Sequence, residues 1–154
     1  MTLMKSWVDK TATQGNIWLV LVFHGVDGVG WKPKTGGELA DYFEYISSKK
    51  QSLWVATFQD VAKYIRERET GTVATYQDGD AIKVVLRSSL TDLSYDLPLT
   101  LKTYVPEGWN AVEVQQGQET KRSDVVRENN TNYVMYQATP NGEDVKLSPA
   151  AQTH

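Results

Sequence analysis

The chain has 154 residues, enough for one sizeable core or two small ones. Sixteen Lys and Arg stand against nineteen Asp and Glu, and no basic cluster alternates with aromatic residues, which argues against nucleic acid as a partner. Cysteine is absent, so disulfides and thiolate zinc sites are excluded.

The first seven residues, MTLMKSW, are too polar for a secretory signal. Ser6, with Asp9 three positions on, is placed to cap a short helix over residues 7–13, which Gly15 would stop. Residues 17–23, IWLVLVF, are apolar without alternation and predict a strand buried on both faces. The run is far too short to span a bilayer, so no membrane segment is expected. It ends in His24-Gly25-Val26-Asp27-Gly28, and His24 is the chain's one histidine away from the C-terminus. The carboxyl end of a parallel strand is where such sheets place their chemistry.

Thr35 and Glu38 match a capping box, and Leu39, Tyr42, Phe43 and Ile46 follow at helical spacing. Residues 53–56, LWVA, predict a second short buried strand. Thr57 and Asp60 then open a helix with a Phe58, Val61, Ile65 stripe, closed by Gly71. From Thr72 the period changes to two. Ile82, Val84 and Leu86 alternate with Lys83, Val85 and Arg87, and Leu97, Leu99, Leu101 and Thr103 repeat the pattern. Asp78-Gly79, Glu107-Gly108, Asn129-Asn130 and Asn141-Gly142 punctuate the short strands. The expected fold is therefore α+β: a partial α/β, barrel-derived N-terminal half over residues 1–71, an antiparallel β-sandwich over 72–148, and a flexible tail over 149–154.

The stretch Leu19 to Asp27, then Trp31, residues 53–58 and residues 61–66 together resemble the C-terminal end of a polysaccharide deacetylase domain of the NodB-homology type. In that family a late strand ends in Leu-x-His, and here the corresponding residues are Val22-Phe23-His24. Residues 97–117, with Pro106, Trp109 and Gln116-Gly117, are similar to the β-domain that follows the catalytic domain in some members. The resemblance implies a carbohydrate esterase acting on an acetylated polysaccharide or small acetyl ester, in a secreted or periplasmic setting. It makes His24 the general acid and places Val22 at the acetyl pocket. It also implies a divalent metal such as zinc, but the family's upstream Asp-Asp pair and H-x-x-x-H segment are absent from this chain.

Read from the residues alone, His24 is either such an acid, oriented by Asp27, or a strand-end histidine that satisfies backbone carbonyls. Asp27 is either functional or a turn residue, and the glycines around it suit a plain turn. Trp31, just past the loop, is the first candidate for a sugar-stacking wall and Trp109 the second. No G-x-S-x-G elbow accompanies any serine. The apolar run at 17–23 also needs cover, which predicts a homo-oligomer through the N-terminal half. The alternative to an esterase is a noncatalytic carbohydrate-binding or assembly module.

Overall fold

The computed structural model describes residues 1–151, which divide into two compact units, Met1–Phe58 and a second that begins at Gln59. The chain is mostly β, with 37% strand and 25% helix.

In the first unit, α1 (Thr2–Gln14) ends at Gly15, whose φ of 62° combined with ψ of 168° is a conformation left to glycine. The helix begins earlier than Ser6 would place it, and the Ser6 hydroxyl donates to the Leu3 carbonyl instead of capping. A small hairpin follows, β1 (Gly25–Val26) with β2 (Val29–Gly30), then α2 (Gly36–Ser47). The capping box of α2 forms in full: Thr35 Oγ1 accepts the Glu38 N–H at 3.1 Å, and a Glu38 oxygen accepts the Thr35 N–H at 3.0 Å. Val8, Leu39 and Tyr42 are the buried residues here, and Tyr42 donates its hydroxyl to the Met4 carbonyl, tying α2 to α1.

The barrel-derived half is corrected. Residues 17–23 and 53–56 form no strand among the described residues. Trp18, Val20 and Val22 are 41%, 46% and 70% exposed, so the run is not buried on both faces. Apolar composition signals a wish for burial, whereas a strand needs a partner ladder for its N–H and C=O groups, and none is present there.

The second unit begins with α3 (Phe58–Thr70), all but its first residue, which runs directly into β3 (Gly71–Asp78). Then come β4 (Ala81–Ser88), β5 (Leu99–Tyr104), β6 (Ala111–Gln116), β7 (Glu119–Glu128), β8 (Thr131–Ala138) and β9 (Val145–Pro149). They make one curled antiparallel sheet in the order β3-β4-β9-β6-β7-β8-β5. The curl originates in β7. Its first half, Glu119 to Asp124, pairs with β6, and its second half, Val125 to Glu128, pairs with β8. One strand shared in this way turns the corner between two packed faces.

Alternation puts Val84 and Leu86, Leu99 and Leu101, and Val145 and Leu147 into the core between those faces. Thr103 and Tyr136 are the polar pair within it, with hydroxyls 2.9 Å apart, and burial pushes the Tyr136 phenol above its ordinary pKa. The edge strand β5 is blunted by α3: the Thr100 N–H points to the Tyr64 hydroxyl, and just before the strand Leu97 donates its N–H to Glu67.

Candidate functional site

The segment from His24 to Gly36 is folded into a tight, self-bonded loop. Asp27 and Gly28 make the two-residue turn of the β1–β2 hairpin, with φ of 50° and 82°. Gly25 and Gly30 face each other across it, and a Cβ on either would run into backbone, of Val29 in the first case and of His24 in the second. Chain then returns beside the hairpin: Asp27 N–H donates to the Lys34 carbonyl at 2.9 Å, and Lys34 N–H donates to the Gly25 carbonyl at 3.2 Å. Finally Asp27 Oδ1 accepts the N–H of Gly36, the first residue of α2, at 2.7 Å. A carboxylate at a helix N-terminus is favoured by the unpaired N–H groups there.

Against this loop lies a cleft of about 320 Å³, lined by Met4 and Trp7 of α1, residues 20–25, and Trp31, Lys32 and Lys34. It brings together three residues singled out in the sequence, Val22, His24 and Trp31. His24 and Trp31 meet edge to face, with ring centroids 5.6 Å apart. Trp31 is 66% exposed, and the Lys32 ammonium sits 4.9 Å from its ring centroid.

Asp27 does not line the cleft, because its carboxylate is turned onto α2. Trp109 belongs to the second unit, where it is 9% exposed within the core. The sequence reading missed Trp7, Lys32 and Lys34. Trp7 follows Met4 by three positions, the spacing of one helix face, which is the signal that pairs them.

The lining carries no Ser, Thr, Cys, Asp or Glu beside His24. What the cleft offers is two indole surfaces, an imidazole able to donate and accept hydrogen bonds, and cationic donors. The divalent metal implied by the deacetylase resemblance does not fit these residues. Among the described residues no group of three or more His, Cys, Asp or Glu is placed to hold one. Nor is any helix among them long and apolar enough to cross a membrane.

No protein-family model matches the chain. No solved structure matches it either. Over 142 residues, 87% of its length, the chain is 25% identical to a gellan lyase of a Bacillus species. The match spans 6% of that relative. This similarity overturns the deacetylase reading, whose late strand is also missing from the fold. The finding that stands in its place is likeness to a short stretch of a gellan lyase.

Proposed function

We propose that the chain is a noncatalytic carbohydrate-binding module and that the cleft of the first unit is its binding site. The carrying observation is the convergence of Trp31, Trp7 and His24 on one cavity. Pyranose rings present flat C–H faces that lie well on indoles, and their hydroxyls pair with an imidazole. The similarity to a gellan lyase over most of the chain supports a polysaccharide as ligand. Trp31 and Trp7 supply the stacking surfaces and Val22 an apolar contact. His24 contacts hydroxyls, and Asp27 positions the loop through α2. Trp109 has no part in binding, as its ring packs inside the sheet.

Affinity electrophoresis in gels containing gellan, xylan or chitin derivatives tests this. Retardation by one polysaccharide, lost in Trp31→Ala and kept in Tyr76→Ala, is expected; Tyr76 is an exposed residue of β3 in the other unit. Equal mobility with and without every polysaccharide overturns the proposal.

The exposed run at residues 17–23 favours a further reading, association with a second copy of the chain. Its backbone groups have no ladder partner among the described residues, and each large apolar side chain left in water forfeits roughly 1.5–3 kcal/mol. An antiparallel pairing of this segment with its own copy satisfies both deficits. Light scattering that finds only monomer at every accessible concentration overturns it.

A further inference from the structure

We infer that the cleft selects glycans bearing anionic groups, a carboxylate or a sulfate on the sugar, over neutral ones. This rests on the carbohydrate-binding reading and names the ligand class of the same site.

Three observations carry it. First, every charged side chain lining the cleft is a lysine, Lys32 or Lys34, and no carboxylate faces them from the lining. Second, of the acids nearest in the chain one is turned onto α2 and the other pairs with Lys34, which leaves Lys32 as the cleft's unpaired cation among the described residues. Asp27 holds the Gly36 N–H, and Glu38 holds the Thr35 N–H and lies 3.6 Å from Lys34. Lys32 has no ion pair among the described residues, and its contact is with the Trp31 ring. Third, Lys32 sits at φ 45°, a left-handed conformation that costs a side-chain-bearing residue about 1–2 kcal/mol. In this conformation the ammonium lies 4.9 Å from the centroid of the exposed Trp31 ring.

A cation beside a stacking surface is a two-part recognition device. A pyranose on Trp31 brings its ring substituents within reach of Lys32, whose cation–π contact, at an exposed site, is weak enough to yield to a carboxylate or sulfate. The charge distribution of the chain agrees. Residues 1–58 hold six lysines against five acids, whereas residues 59–154 hold ten basic against fourteen acidic residues. An anionic polymer is therefore drawn to the unit that carries the cleft.

The test uses the full chain with three soluble polymers: polygalacturonate, dextran sulfate and neutral dextran, titrated by calorimetry at low and moderate salt. Tighter binding of a charged polymer than of dextran is expected, weakened about fivefold by Lys32→Gln, restored by Lys32→Arg, and abolished by Trp31→Ala. Lys10→Gln, on α1 outside the cleft lining, leaves affinity unchanged. Preference for polygalacturonate assigns a carboxylate as the recognised group, and preference for dextran sulfate assigns a sulfate. Equal binding of dextran and the charged polymers, with Lys32→Gln silent, overturns the inference but leaves carbohydrate binding intact. Binding of charged polymers that Lys10→Gln weakens as much as Lys32→Gln also overturns it, as bulk attraction. Absence of binding to any of these polymers and to the polysaccharides of the previous section removes both readings.

Discussion

Asp27 Oδ1 accepts the backbone N–H of Gly36 at 2.7 Å, so the turn of the β1–β2 hairpin is tied to the first turn of α2. The same hairpin carries His24 at its entrance, and Trp31 follows its second strand. An exposed side chain outside the cleft lining thereby braces the loop that carries His24 and Trp31.

Asp27→Ala removes that bond and is expected to cost about 0.5–2 kcal/mol, the range for losing a polar side chain at a helix N-terminus. Asp27→Asn retains an acceptor oxygen and loses less. Urea unfolding monitored by circular dichroism measures both, and a loss in Asn equal to that in Ala shows that the acceptor is not what matters. Binding by the cleft should weaken in the same order.

Glu67 gives a pH-dependent stability. Its side chain is fully buried, Oε1 accepts the Leu97 N–H at 3.2 Å, and Oε2 has no hydrogen-bond partner among the described residues. Burial chiefly, and Asp96 in addition, raise its pKa from the ordinary 4.5, opposed by the Leu97 N–H and Lys63. The folded state then holds the proton more tightly than the unfolded one. Stability is full below the unfolded pKa and falls as pH rises toward the folded value, levelling above it. Glu67→Gln keeps an acceptor for Leu97 and cannot ionise. It should melt at a higher temperature than the parent at pH 8 and close to it at pH 4. Parallel melting curves at both pH values contradict this assignment.

Leu147 on β9 and Val73 on β3 make a paired test of where stability resides. Leu147 is wholly buried in the strand between β4 and β6, whereas Val73 is 51% exposed on the edge strand. Leu147→Ala should cost about 2–5 kcal/mol. Val73→Ala should stay within about 0.5 kcal/mol. Chemical denaturation of the two variants compares them directly.

Asn129 and Asn130 join β7 to β8 with φ of 48° and 60°, a turn in which both central residues are left-handed. Asn130→Gly should leave the unfolding midpoint unchanged or raise it. Asn130→Val should lower stability by about 1–2 kcal/mol, since a β-branched residue resists this backbone. Equal midpoints for Gly and Val would show that the turn relaxes to another conformation.

Legibility followed the range of the interactions. The Thr35–Glu38 box lies within one helical turn and forms as its residues dictate. Likewise, the alternation in β4 and β5 marks which side chains turn inward, because a pleat orients neighbours oppositely whatever the strand pairs with. Residues 17–23 misled for the converse reason: their apolarity is local, but the ladder that makes a strand has to come from elsewhere. Trp109 stands beside a turn glycine, which suggested exposure, yet the indole packs into the core. A turn sets the path of the backbone, and the direction of a ring is decided by what surrounds it.

By itself the sequence determined the Thr35–Glu38 cap, the turns at Asp78-Gly79 and Asn129-Asn130 and the inward faces of β4 and β5, all consequences of backbone geometry over a few residues. Tertiary structure alone decided that β9 lies between β4 and β6, that β7 serves two neighbours, and that Trp7 and Lys32 share a cleft with His24. These are contacts between segments distant in the chain, or side-chain directions set by packing, and no local pattern encodes which surfaces meet once apolar area is removed from water.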